Sequence, residues 1–528
     1  MTNTIVYPDN QFLFEGILYA SPKQYLDFVS DGDTRLFDKA VWDAETFPEM
    51  WAAMATTQVK RAREAFKTQA KGRHNIITNG DSYKASHFLQ YPPGTQYVYS
   101  YIESRGGIYD EAVYFGFQMF AKEYLTVPVT MEMVEEAAEV YAKHKVPFNR
   151  EGWEYIVNEL KGKLPVLIKS AREGQRMPVK NVLLTIVNTD PKCFWLTSFL
   201  ETSLLRAIWF ATTVASKSYA CKRVIKRYLD ETSDIADVLL PSRLHDFGAR
   251  GTSSYESAEI GGLAHLLNFR GTDTMGALLA ARRYYGADMP GESIPAAEHS
   301  TVTSWGKERE VEAYRNMLRQ FARPGSFVAV VSDSYDLFNA VENIWGTELK
   351  DHVVNSGATV IIRPDSGNVR TIPLETIERL GAKFGYTVNA KGFKVLKTVR
   401  VIQGDGIDGP VVIGDILESL KQAGWAADNL AFGMGGGLLQ IVNRDDMKFA
   451  MKCSAIMIDG VWHQVFKDPK TDPGKQSKRG RLVLVHDNGW ETKPMEGNLW
   501  KDELLDTFKN GELIRETTFD ECVALAAA

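Results

Sequence analysis

Between about residues 240 and 460 the sequence repeats one pattern: a short apolar run ends in a polar or glycine-rich cluster, and a helical pattern follows. The clusters are LHDFGARG, NFRGTDT, PAAEHST, VVSDSYD, IIRPDSGN, VIQGDGID and AFGMGGG. The helical stretches between them include YESAEIGGLAHLL, MGALLAARRYYG, LETIERLGAKFG and VVIGDILESLKQAG. Successive β-then-α units lay their strands parallel, because each helix carries the chain back to the end of the sheet where the last strand began. Asp, His, Arg and Gly gather where the apolar runs end, which predicts a closed β/α barrel with its chemistry on the C-terminal face. A doubly wound open sheet is the alternative arrangement of the same units.

The chain ahead of these units reads differently. From about 76 to 190, strand-like runs (QYVYSYIES, LPVLIKSA, NVLLTIVN) alternate with helical patterns (MEMVEEAAEVYAKHK, REGWEYIVNELKG), the mark of an α+β region. The expected fold class is α/β, with a β/α barrel over 191–460 and an α+β domain over 74–190. The basic loop and C-terminal α+β segment, 461–528, would pack on that domain. Residues 1–73 form an accessory segment, where PEMWAAMATTQVKRAREAFKTQAKG predicts one long polar helix ending at Gly72.

Composition narrows the function classes. A net charge of −6 on 528 residues, 24% of them charged, is ordinary for a globular protein and argues against a polyanion-binding tail. Cys193, Cys221, Cys453 and Cys522 show no C-x-x-C and no metal-binding spacing, so they read as reduced structural thiols. The start, MTNTIVYPDNQFLFEG, lacks the basic residues and apolar block of a signal peptide, and the longest apolar runs are strand-sized. A cytoplasmic protein without membrane spans is expected.

Several clusters carry chemistry. In ATVIIRPDSGN an extended run delivers Arg363, Pro364 ends the strand, and Asp365 enters a turn. An arginine fork suits phosphate oxygens, and a carboxylate suits ribose hydroxyls or Mg²⁺; a local ion pair is the plainer reading. In VRVIQGDGID, Gly404 and Gly406 flank Asp405 and allow close backbone approach, although a simple turn needs the same residues. The glycines of LAFGMGGGLLQ stand between a strand and an apolar helical start, where free N–H groups cradle phosphate. They match neither G-x-G-x-x-G nor the P-loop pattern, and tight strand-to-helix packing is their other use. The basic run from Lys452 to Arg481 reads first as a solvated face.

Taken in order, DSYKASHFLQYPPGT, HDFGARG, GTDT, PAAEHST, SDSYD, IIRPDSGN, IQGDG and FKDPKTDPGKQSKRGRL resemble the nicotinamide phosphoribosyltransferases, from about residue 76 to near the C-terminus. The resemblance implies a type II phosphoribosyltransferase barrel and a homodimer with shared active sites. Such an enzyme joins nicotinamide to 5-phosphoribosyl 1-pyrophosphate, making nicotinamide mononucleotide and pyrophosphate in NAD salvage. It also implies Mg²⁺, carried mainly by substrate phosphates, and ATP as a coupled co-substrate. Phe247 would stack on the pyridine ring, with Tyr83 of the second subunit on its other face, His245 as a pocket wall, and Asp273 accepting from the carboxamide. If Asp273 instead capped the helix starting near Thr274, that last role would lapse. Arg363, Asp365 and Gly404 would hold base and ribose, Asp365 counting also among the catalytic residues and Asp405 among the substrate-binding ones, with Gly435, Gly436 and Arg444 on the 5-phosphate and Arg250 near the pyrophosphate. Arg105, Lys452, Lys467 and Lys475 would reach phosphates from the partner subunit.

By the same resemblance His299 would be phosphorylated transiently by ATP, with Asp333 as its orienting partner. An imidazole held by a carboxylate on one nitrogen offers the other as a nucleophile. Residues 1–73 depart from the family's usual pattern, as do Ala249 and Met434, which stand where a tyrosine and a serine are expected. Nicotinate phosphoribosyltransferase is the rival enzyme, and a non-enzymatic signalling protein on the same scaffold is the rival from another class.

Overall fold

The computed structural model describes residues 75–471, 476–496 and 500–528, together with three short antiparallel strands at Ile5–Val6, Phe12–Phe14 and Ile17–Tyr19. The long helix expected to end at Gly72, and Lys475, lie outside the described residues. The chain forms two units, one of residues 1–79 and 129–145, the other of 80–128 and 146–528.

In the smaller unit the helix Met131–Lys143 starts at Thr130, whose hydroxyl accepts the N–H of Met133, a cap worth about 1 kcal/mol. Met133, Val134, Ala137 and Tyr141 form its buried stripe. Asn75 Nδ2 donates to the Met133 carbonyl at 3.0 Å, and the Tyr141 hydroxyl to that of Ile77 at 3.0 Å.

The larger unit contains the barrel. Its parallel strands run in the order Gly271–Thr272, Leu244–Asp246, Leu430–Met434, Val399–Gln403, Thr359–Arg363 and Phe327–Val331. The two edges are then joined. Gly271 bridges to Glu292 and Ala329 to Ala296, with Thr272 N–H donating to the Glu292 carbonyl at 3.1 Å and Ala297 N–H to that of Ala329 at 3.0 Å. Residues 292–297 therefore close the ring, which decides for the barrel over the open sheet. Pro295 has no N–H to give, so the closure is a pair of bridges rather than a full ladder.

Val328, Val330, Val360, Ile362, Val399, Val401 and Phe432 are fully buried, as strands covered on both faces must be, and this is why they read as unbroken apolar runs. The helix Glu201–Thr232 packs on the helices Tyr255–His265 and Pro410–Gln422. It buries Leu204, Ile208, Ala211, Ala215, Ile225 and Leu229 at helical spacing. No helix among the described residues is long and apolar enough to cross a membrane.

Beside the barrel, seven strands form an antiparallel sheet in the order Val461–Gln464, Phe449–Ile458, Thr95–Ser104, Val182–Asn188, Val166–Ser170, Leu505–Lys509 and Glu512–Leu513. Its centre pairs Phe449–Ile458 with Thr95–Ser104, so the chain leaving the barrel returns to the region that preceded it. The hairpin of Tyr386–Val388 with Lys394–Leu396, unforeseen in the sequence, interrupts the βα rhythm.

Register places the site. Val331 pairs with Arg363, Met434 with Asp246, and Asp246 with Thr272. Asp333, Asp365, Gly404, Gly435, Phe247 and Asp273 thus follow their strand ends by one or two residues, all on one rim.

Candidate active site

A cavity of about 450 Å³ opens on this rim, lined by Phe247, Ala249, Arg250, Gly251, Asp273, Arg363, Asp365, Gly404, Asp405, Gly435 and Gly436. Nine of these are residues that the sequence marked for base, ribose or phosphate. Arg363 keeps its side chain 16% exposed, with Nε 3.9 Å from Asp365 Oδ1 and without a hydrogen-bond partner. A buried N–H of this kind is a donor awaiting an acceptor. At Gly404 a Cβ would stand 3.0 Å from Asp365 Oδ1 and 3.3 Å from Arg363 Cδ, so any side chain would crowd both groups. Gly436 has open space in the Cβ direction and begins the short helix Gly436–Leu439, whose first N–H groups have no acceptor within the helix.

At the other end Phe247 N–H donates to the Met434 carbonyl at 3.0 Å, and the ring lies over the next strand. A Cβ at Gly433 would come within 2.1 Å of that ring. Gly433→Ala is therefore expected to displace Phe247 at a cost of about 1–3 kcal/mol, seen calorimetrically as a Tm lower by a few degrees; an unchanged Tm would show that the ring re-aims freely. Asp273 does not cap the helix Met275–Tyr285, whose N-cap Thr274 makes no side-chain cap bond. Its Oδ1 accepts instead from the Ser293 hydroxyl at 2.6 Å. His245 stands behind Phe247, ring centroids 6.0 Å apart, with Nε2 3.1 Å from the Ser242 carbonyl. Burial pushes its pKa down, so it is a neutral wall.

His299 opens the helix His299–Thr303. Its Nε2 faces two carboxylates, Asp365 Oδ2 at 3.3 Å and Asp333 Oδ1 at 3.7 Å, and its Nδ1 lies 3.1 Å from the Ser334 hydroxyl. Asp333 is buried, and its Oδ2 accepts from Asp365 N–H at 2.8 Å and from the Ser366 hydroxyl at 2.5 Å. Asp333 thus ties down the loop that brings Asp365 to the histidine, while Asp365 also lines the cavity.

The remaining marked residues do not line this cavity. Tyr83 is 57% exposed on the turn Ser82–Leu89, edge-on to His87. Lys452 lies on the antiparallel sheet, its pKa pushed down first by burial and further by Arg105, Lys84 and Arg444 nearby, against the pull of Glu201. Arg444 pairs with Asp445, its Nη2 3.1 Å from Oδ1. Lys467 N–H donates to the Ser477 hydroxyl at 2.9 Å.

Sequence reasoning missed Ser293, Ser334 and Lys217. Lys217, on the long helix, donates to the Gly437 carbonyl at 2.5 Å from beneath the glycine turn, and burial pushes its pKa down. Only its place in an otherwise apolar helical stretch signalled it.

Arginines and open glycine turns that suit phosphate stand beside carboxylates that suit hydroxyls on a barrel rim, the complement of a phosphorylated sugar. Comparison with known proteins is more particular. The nicotinate phosphoribosyltransferase (NAPRTase) family model matches residues 242–512, and the model for the nicotinamide phosphoribosyltransferase N-terminal domain matches 75–168. The chain is 52% identical over 463 residues to a nicotinamide phosphoribosyltransferase of Xanthomonas campestris pv. campestris, covering 86% of this chain and 98% of that protein. It is 32% identical over 495 residues to one of Acinetobacter baylyi, covering 85% and 96%. The chain belongs to the nicotinate phosphoribosyltransferase family. Its fold is that of the nicotinate-nucleotide pyrophosphorylase from Pyrococcus furiosus, with a TM-score of 0.56 at 16% identity over 86% of this chain and 95% of the other.

Proposed function

We propose that the protein transfers the phosphoribosyl group of 5-phosphoribosyl 1-pyrophosphate to nicotinamide, making nicotinamide mononucleotide and pyrophosphate and so serving NAD salvage. The observation that carries this reading is Asp273: a carboxylate, held by Ser293, at the end of the cavity beside Phe247. A carboxamide NH₂ donates to it, whereas the carboxylate of nicotinate is repelled. The relatives named nicotinamide phosphoribosyltransferase support the same choice.

In the reaction the pyridine nitrogen attacks C1 of the ribose as the C1–O bond to pyrophosphate breaks, and positive charge develops on the sugar. Phe247 holds the ring flat against the cavity wall. Arg250 and Arg363 face the negative charge of the phosphates, and Asp365 and Asp405 lie where ribose hydroxyls donate. Preorganised charge of this kind needs no rearrangement when the bond breaks. Among the described residues no group of three or more His, Cys, Asp or Glu is placed to hold a metal ion. Two cavity carboxylates, Asp365 and Asp405, fit Mg²⁺ that takes its other ligands from phosphates and water. When bound, the ion would neutralise charge on the departing pyrophosphate.

His299 is read as the ATP-dependent phosphoryl acceptor. With both carboxylates at Nε2, the proton rests there, and the Nδ1 lone pair, which accepts from the Ser334 hydroxyl in the free protein, becomes the nucleophile once that hydroxyl turns away. Attack on the γ-phosphorus forms the N–P bond and releases ADP. His299→Asn is expected to abolish acid-labile label from γ-³²P-ATP; label at wild-type level would place the phosphoryl group elsewhere. Tyr83, Arg105, Lys452 and Lys467 are read as serving the cavity of a second copy, which makes the active form a homodimer. The decisive assay offers nicotinamide or nicotinate separately with 5-phosphoribosyl 1-pyrophosphate and Mg²⁺, with and without ATP. Product from nicotinamide is expected, and product mainly from nicotinate would overturn the reading.

A further inference from the structure

Asp246 is a wholly buried carboxylate at a strand end, 0% exposed, and it touches neither the cavity nor any cation. Its strand, Leu244–Asp246, lies between the glycine-turn strand Leu430–Met434 and the strand Gly271–Thr272. Oδ1 accepts from Gly248 N–H at 2.8 Å, and Oδ2 from the Thr272 hydroxyl at 3.4 Å. The Asp246 carbonyl accepts from Asp273 N–H at 2.9 Å. Thr272 passes the link on, its hydroxyl oxygen accepting from Thr274 N–H at 3.0 Å. Every one of these contacts ends on a residue adjoining Phe247 or Asp273, or on Asp273 itself.

Burying a carboxylate without a cation is costly and is tolerated where hydrogen bonds replace water. Burial pushes the pKa of Asp246 up, the charge of Asp273 adds to this, and the Gly248 and Thr272 donors oppose it. The neighbouring space is already full, since a Cβ at Gly262 would stand 3.0 Å from Oδ2. The carboxylate is therefore fixed from both sides.

We infer that Asp246 is the positioning residue of the base end: it locks the Phe247–Gly248 turn to the Thr272–Asp273 turn, so that the group facing the ring and the group facing the amide move as one. This rests on the reading of that end of the cavity as the nicotinamide pocket. It assigns to Asp246 no contact with either substrate; the same turn leads on to Arg250 and packs against Gly435, so the phosphate end is expected to respond more weakly than the base end.

Asp246→Asn and Thr272→Val test it in the full-length protein, by steady-state kinetics and by calorimetric binding of each substrate. Asp246→Asn is expected to raise KM and Kd for nicotinamide tenfold or more, to raise those for 5-phosphoribosyl 1-pyrophosphate several-fold less than that, and to lower the preference for nicotinamide over nicotinate. Thr272→Val, which removes only the linking hydroxyl, is expected to show the same split to a smaller degree, and it decides alone if Asp246→Asn fails to fold. Equal weakening of both substrates, or no change in either, would overturn the proposal by showing that Asp246 serves only stability. A wild type that made no mononucleotide from nicotinamide would sink the functional reading instead, and the positioning role would then be judged on nicotinamide binding alone.

Discussion

Arg363→Ala is expected to lower kcat/KM by about two to three orders of magnitude, the range seen when one preorganised donor is removed from developing charge. The side chain is mostly buried at a strand end, and its Nε has no partner in the free protein. A cation kept in that state is itself costly, so the truncation is expected to leave Tm unchanged or raise it. Activity and stability should therefore move in different directions, which a loss through misfolding would not produce. Arg363→Lys keeps the charge and loses the planar fork, and is expected to recover only part of the rate. Wild-type kinetics in the lysine variant would show that charge alone matters there.

Asp273→Asn is expected to shift the ratio of nicotinamide to nicotinate turnover by about a hundredfold toward nicotinate. Two like charges about 4 Å apart repel by about 4 kcal/mol at an effective dielectric of about 20. The shift should fall below that limit because Asp273 is exposed in the single chain. Asparagine can still accept from Ser293 through its carbonyl while its amide donates to a substrate carboxylate. Competition between the two bases in one reaction reads the ratio directly. A ratio equal to that of the wild type would remove Asp273 from base discrimination and return the question to Phe247 and His245.

The rim was legible in the sequence because its chemistry sits where strands stop. Pro364 ends the run that delivers Arg363, and glycines break the runs before Asp405 and after Phe432. In a parallel barrel those breaks share one face, so linear spacing translated into a cavity. The closing stretch was not legible: residues 292–297 carry Pro295 and no period-two alternation, and they join the strands before and after them by single bridges rather than a ladder. Ser293 was invisible for that reason, although its bond orients Asp273. The pairing at His299 was half legible. The pattern SDSYD suggested Asp333, but only the turn after Arg363 brings Asp365 closer to the same nitrogen. Lys452 stands on the antiparallel sheet and Arg105 directly follows its strand Thr95–Ser104, neither lining the cavity of their own chain, and no pattern within one chain tells which copy a side chain serves.

The closed ring has a seam, and the seam is where the proposed base contact and the proposed phosphoryl acceptor come nearest along the backbone. Ser293, which holds Asp273, and His299, the proposed phosphoryl acceptor, lie on one short stretch with only five residues between them. Bridges to both neighbouring strands anchor that stretch. Any strain that a new phosphoryl group places on one end has little chain in which to dissipate before it meets the base.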